Sequence, residues 1–319
     1  MGGNQCTEKY VDTSAENLFN WVSGYSALPD VGLSQNMQVY LGVGSHAALV
    51  NHHENIKAAL EGNAGKYVST AITTLGGLTA IPQAAGLVAL FLSIILDAVT
   101  SAGKQSVNVQ QQLREVFAEE KVSRLSNLAE SFYRQFLMFV GNPDHLRWQV
   151  QSYESQIFDQ LVTVKNSMVY DGHVNSRAVK TWANGAALHS GMLIHLARFD
   201  DAYRSAALTT LQSYQRDLDA ILHAYSRKKR ETIVLDCDLV LGAMEGAGSY
   251  CLYRFRDKES GKTAPMAPVG GQCQGEVLNR HINIMMERHN DIKRMKEFFI
   301  NTERNVDALI REGEIFYLQ

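Results

Sequence analysis

Residues 67–103 read "YVSTAITTLGGLTAIPQAAGLVALFLSIILDAVTSAG". No charged side chain occurs from Tyr67 to Leu96, in a chain where 20% of residues are charged. A helix that is apolar all round belongs in a protein core or in lipid. Pro82 divides the run, and Ile81 before it is pushed toward an extended conformation. Thr79 is then expected to cap a new helix with Pro82 in its first turn. The apolar part of that helix, Gln83 to Leu96, rises about 20 Å, short of the roughly 30 Å of hydrocarbon in a bilayer. Upstream, "STAITTLGGLTA" makes a Gly- and Thr-rich helix. Two short helices folded at 80–82 fit better than one straight span.

The candidate membrane-inserting residues are Leu75, Leu78, Ile81, Pro82, Leu87, Val88, Leu90, Phe91, Leu92, Ile94, Ile95 and Leu96. Only Ser93 interrupts the second helix, which leaves it no polar face. One reading is a central core helix wrapped by amphipathic ones. The other is a hairpin at 67–100 stored inside the fold and released to a bilayer. The two are compatible.

The rest of the chain is helical in character. It has 319 residues, only five prolines and 45% hydrophobic residues. That favours an all-α, elongated bundle of long helices over a turn-rich β architecture. Residues 14–61 suggest two or three short helices broken at "ALPDVG" and at Gly42 and Gly44. Ala118, Val122, Leu125, Ala129, Phe132, Phe136 and Phe139 form one stripe of a helix running from about Ser106 to Gly141. Asn142 then caps the next helix with Pro143 in its first turn, so 106–166 reads as a helical hairpin. Helices follow at 175–198 and 201–228. "TIVLDCDLVL" and "SYCLYRF" change the pattern to a small β-hairpin or irregular insert near 232–275. One long helix over 276–312 closes the chain. The expected organisation is a bundle over 1–231, the insert over 232–275, and a terminal helix in 276–319 packing back on the bundle.

Other features bound the function. The net charge of −3 gives no basis for nucleic-acid binding. The start "MGGNQCTEKY" lacks the basic and apolar regions of a signal peptide. The expectation is a soluble cytosolic or non-classically secreted protein with conditional membrane association. Gly2 and Cys6 loosely match an acylation signal, but the usual Ser or Thr is missing at position six. Cys237, Cys251 and Cys273 are candidates for a disulfide of open pairing in an oxidising compartment. Buried thiols are the expected state. Arg227, Lys228, Lys229 and Arg230 close a helix, where they complement its dipole, and they could also contact anionic lipid headgroups.

The stretch "FYRQFLMFVGNPDHLRWQVQSYESQIFDQLVTVKNSMVYDGHV", residues 132–174, resembles the rapunzel family of fish proteins and, more distantly, cephalotoxin-like proteins. Phe132, Phe136, Pro143, Leu146, Tyr153, Glu154, Tyr170, Asp171 and Gly172 carry the likeness, which extends back to the uncharged segment at residue 67. The resemblance implies a helical, membrane-associated protein.

Signals for catalysis are absent. "GVGSHA" lacks the third glycine of a dinucleotide loop. His52, His53 and Glu54 do not place two imidazoles on one helical face. His281 and His289 are about 12 Å apart along a helix axis, and no Glu-x-x-His pair is present. Asp236 and Asp238 share one face of a strand, which suits two solvated carboxylates better than a cation. No cofactor and no metal are expected. The sequence therefore predicts a non-enzymatic, pore-forming or cytolysin-like helical protein that inserts its hairpin after oligomerisation, with a lipid membrane as its partner. The alternative is a helical scaffold with a protein partner and a permanent apolar core.

Overall fold

The computed structural model describes residues 6–60, 64–101, 124–240, 250–267, 269 and 273–319. Among the described residues the fold is predominantly α-helical with two small antiparallel sheets. Two compact units interleave along the sequence, one from residues of 1–31, 167–179 and 219–294, the other from 32–166, 180–218 and 295–319. The linear division expected from the sequence does not hold, because the first helix groups with the β insert.

The first unit is built on α1 (Glu8–Gly24) and α10 (Gln274–Arg288). Thr7 caps α1 through its side chain, accepting from the Tyr10 N–H at 3.4 Å. One face of α1, with Val11, Ala15, Leu18 and Val22, packs on Val277, Ile282 and Met285 of α10. Polar pairs Asp12–Arg280 and Glu16–Arg288, at 2.7 and 2.8 Å, run along the same edge. A Cys6–Cys273 disulfide ties the starts of the two helices. The core continues through Ile233 of β2 (Ile233–Val240), Phe255 of β3 (Tyr250–Asp257) and Ala264 of β4 (Thr263–Ala264). These strands form one antiparallel sheet in the order β2-β3-β4.

A second disulfide, Cys237–Cys251, joins β2 to β3. All four cysteines are therefore oxidised, which corrects the expectation of buried thiols and removes the Cys6 sulfur from any acylation signal. The Cys237–Cys251 bridge closes a short loop on an exposed ladder. Its loss in Cys237→Ser/Cys251→Ser is expected to lower the unfolding free energy of this unit by about 2–3 kcal/mol. Urea unfolding followed at Trp21 measures it, and an unchanged midpoint would contradict it.

The second unit contains α2 (Gln35–Tyr40), α3 (Ser45–Ala59), α4 (Ala64–Thr74), α5 (Leu87–Ser101) and α6 (Arg124–Phe139). It also takes most of α7 (Pro143–Val169), with parts of α8 (Ser176–Ala197) and α9 (Ala202–Thr232). The hairpin of α6 and α7 forms as expected. The Asn142 side chain accepts from the His145 N–H at 3.2 Å, and Pro143 opens the helix. Residues 106–123 of the expected helix lie outside the described residues.

The expected terminal helix is broken into α10, α11 (Asn290–Arg304) and α12 (Val306–Arg311). At the first break the His289 ring receives the Asp291 N–H at 3.1 Å and bonds the Pro29 carbonyl at 2.8 Å. Asn305 marks the second break. Beyond α12 the chain runs extended and pairs β5 (Phe316–Tyr317) with β1 (Ala80–Ile81).

Candidate functional site

Helix α5 lies at the centre of the second unit. None of the residues from Leu87 to Leu96 exposes more than 1% of its surface. On one side it touches α2, α3 and α4. On another the Phe91 ring meets Phe132, Tyr133 and Phe136 of α6 at centroid distances of 5.3, 5.7 and 5.0 Å. Its first turn abuts Leu41, Ile194, His195 and Leu309 around a cavity of about 10 Å³. The helix is wrapped on every side from Leu87 to Leu96.

Several aliphatic hydroxyl groups in this hairpin are bonded within their own helices, whereas the buried Tyr67 hydroxyl has no hydrogen-bond partner among the described residues. In α4 the side chains of Thr70, Thr73 and Thr74 donate to carbonyls four residues back, at 2.7 to 2.8 Å. In α5, Ser93 donates to the Leu90 carbonyl at 2.8 Å, and Thr100 to Leu96 and Asp97. Such back-bonding lets polar side chains sit in a medium that offers no partners. Charge is confined to the ends. Asp97 sits near the far end of α5, held by His52 at 2.8 Å and Asn36 at 3.3 Å.

The break between α4 and α5 differs from the expected one. The new helix starts at Leu87, not at Pro82, because Gln83 and Gly86 take positive φ of 53° and 57° and cannot continue a right-handed helix. Thr79 accepts a backbone bond from Leu318 at 3.0 Å instead of capping a helix. Gly76 and Gly77, with φ of 70° and 83°, end the preceding turn in the left-handed region that glycine tolerates. Leu75 and Ile81 are buried, while Leu78 and Pro82 are half-buried. Beside this turn opens a groove of about 660 Å³, lined by Leu75, Leu78, Leu137, Met138 and Arg134 among others.

The segment after α12 fastens the break. The Glu312 carboxylate accepts the Gly44 and His46 N–H groups at 3.2 Å each, so it caps α3 from a distance in sequence. Glu314 accepts the Ala84 N–H on its backbone at 2.8 Å and pairs with His46 Nε2 at 3.1 Å. Phe316 and Leu318 are 2% and 5% exposed, and Phe316 lies edge-on to the His53 ring. Burying two such side chains contributes about 1.5–3 kcal/mol each. That is comparable to or below the 5–15 kcal/mol of a whole domain, so this segment can open before the unit unfolds.

The basic run is distributed differently from a lipid-facing patch. Lys229 is 0% exposed and contacts Asp257 at 2.6 Å and also Glu259, which corrects its assignment as a headgroup contact. Lys228 pairs with Glu231 at 2.9 Å. Arg230 bonds Ser226 and Asn283, and Arg227 is exposed. Glu259 also accepts the Ser176 hydroxyl and N–H at 2.6 and 3.1 Å. Burial alone would raise the Asp257 carboxyl, but the Lys229 ammonium outweighs it and holds the group below its ordinary value.

A carboxylate–imidazole–phenol series, Glu154–His189–Tyr214, has both its contacts at 2.8 Å. Burial pushes the Tyr214 phenol well up, and its ring packs against Trp182 and Phe299. This series fastens a core. Its members are 35 and 25 residues apart, so no spacing in the sequence could reveal it. Asp236 and Asp238 pair across the ladder with Arg256 and Arg254 at 2.7 and 2.5 Å. Among the described residues, no group of three His, Cys, Asp or Glu side chains could hold a metal ion. Among the described residues too, no helix is long and apolar enough to cross a membrane. No protein-family model, no curated protein and no solved structure matches this chain.

Proposed function

We propose that this is a non-enzymatic, membrane-active helical protein of pore-forming or cytolysin-like type. Its α4–α5 hairpin enters lipid after the chain leaves its water-stable form and oligomerises. One observation carries the reading: α5 has no polar face and Leu87 to Leu96 are wrapped on every side, with the Ser93 and Thr100 hydroxyls bonded inside the helix. At 15 residues it is about 22 Å long. It therefore enters as half of a hairpin and does not cross the hydrocarbon alone. Two disulfides favour work in an oxidising compartment or outside the cell. The likeness to the rapunzel family points the same way.

The second reading is a helical scaffold that presents its surface to a protein partner, with α5 as permanent core. The completeness of α5 packing favours it. Vesicle flotation and dye release separate the two. The intact oxidised protein is expected to float with anionic vesicles and release a trapped dye, with residues 87–96 protected from hydrogen exchange in the lipid-bound form. Exclusion from both neutral and anionic vesicles between pH 4.5 and 7.5 would leave the scaffold reading. Leu90→Asp is a poor probe here, because it would bury an unpaired carboxylate and destabilise the water-stable form itself.

A further inference from the structure

We propose that Glu312–Leu318 is a detachable strap, and that its release is the step that frees α5. The purpose of this device rests on the membrane reading above; its existence does not. The strap's attachments fall on two places, the start of α3 and the break that precedes α5. Glu312 takes two N–H groups of the first place. Glu314, Phe316, Tyr317 and Leu318 engage Thr79 to Ala84 at the second. His46 joins the two, since its ring contacts both the Ala84 carbonyl at 3.3 Å and the Glu314 carboxylate.

The strap has no helix of its own, and most of its residues face solvent. Two anchors, Phe316 and Leu318, alternate with exposed Ile315 and Tyr317, which is the period of an edge strand buried on one side only. A two-residue ladder ends quickly once one anchor leaves. What remains at the break is then the His46 ring on the Ala84 carbonyl at 3.3 Å, the Ser45 hydroxyl accepting the Gly86 N–H at 2.6 Å, and Arg198, which donates to Leu309 at 3.0 Å and reaches Ala85 at 3.5 Å. These hold the first turn of α5 but leave Thr79 to Ala84 without a partner strand. The strap thus pairs with Ala80 and Ile81, the short strand in the break between α4 and α5.

The geometry supplies a way to lock the device. Leu318 donates to the Thr79 carbonyl beside the Ala80–Tyr317 pair, which makes that pair the non-hydrogen-bonded one, where side chains stand closest. Ala80→Cys/Tyr317→Cys should therefore form a disulfide. The test uses the full oxidised chain in three forms: this staple, its control with Ala80→Cys alone and the thiol alkylated, and a loosened form, Phe316→Ser/Leu318→Ser. Hydrogen exchange over residues 79–96 and dye release from anionic vesicles are read together. Loosening is expected to speed exchange there by about tenfold or more and to raise release, while residues 150–165 of α7 stay unchanged. The staple is expected to slow exchange and abolish release.

Exchange over 79–96 that is the same in all three forms would overturn the strap. Exchange that responds as expected, with no release from any form, would keep the strap and remove the membrane reading. If the loosened form loses its helical circular dichroism, the staple decides alone: exchange equal to that of its control overturns the strap, and slower exchange supports it.

Discussion

In Lys229→Ala protein, the first unit is expected to lose about 3–5 kcal/mol of unfolding free energy. The ammonium lies within 2.6 Å of Asp257, whose side chain is 1% exposed, and it also contacts Glu259. Removing it leaves two carboxylates facing each other in a site with little water. Glu259 keeps the Ser176 hydroxyl and N–H, and Asp257 keeps the Ser260 hydroxyl at 2.7 Å. Neither donor carries a positive charge. Like charges at such range force one group to take a proton or the cluster to open. Tyr225 also loses the cation 5.1 Å from its ring centre. Urea unfolding followed at Trp21, which lies in the same unit, reads the effect. A loss below about 1 kcal/mol would mean that the ammonium is solvated and that the run remains available to headgroups. Lys228→Ala, by contrast, breaks only an exposed pair and should change stability by less than about 1 kcal/mol.

Mild acid should destabilise both units through buried imidazoles, foremost His281 in the first and His195 in the second. Burial, with Arg198 adding to it, pushes His195 down to about 3, and burial pushes His281 down to about 4. In the unfolded chain both titrate near 6.5. Between those values the unfolded state binds more protons than the folded one, so stability rises with pH. The contribution is full above pH 6.5 and falls as the pH drops toward the folded values. At pH 4.5 the expected loss is about 2–3 kcal/mol for each residue. Neither ring nitrogen of His195 has a hydrogen-bond partner among the described residues, and its ring packs edge-on to Phe199 at 5.4 Å. His281 lies between Phe19 and Phe255. Denaturant midpoints at pH 7.5 and 4.5 test this in the wild type, in His195→Leu and in His281→Phe. Each variant should flatten the pH dependence of its own unit. If the variants show the wild-type slope, these two imidazoles are not the cause.

What could be read from the sequence was local. Asn142, Pro143 and Asp144 announce the start of α7 by caps and dipole alone, and the start is where they put it. The absence of a polar face on α5 called for a protein core or lipid, and in this structure the surrounding helices supply the core. The fate of Lys229 was also present, though not in its charge. Tyr214, Leu218, Leu222 and Tyr225 are spaced four, four and three apart, and Lys229 continues the same buried stripe four residues later. A lysine on that stripe needs anions, and β3 and the turn after it supply them from 28 and 30 residues away. The break at His289 had no local signal, because its ring is held by Pro29, 260 residues away. The same holds for Glu312, whose capped helix begins 268 residues earlier in the chain. Periodicity reports which face of an element is apolar, and it says nothing about which distant carboxylate will cap a helix start.

The Cys6–Cys273 bridge spans a sequence separation of 267 residues. A single peptide-bond cut anywhere inside that interval, including one at the basic run 227–230, leaves both fragments covalently joined. Such a nicked molecule would migrate as one species on non-reducing electrophoresis and as two after thiol treatment. Limited digestion would thus appear harmless by size until the bridge is opened.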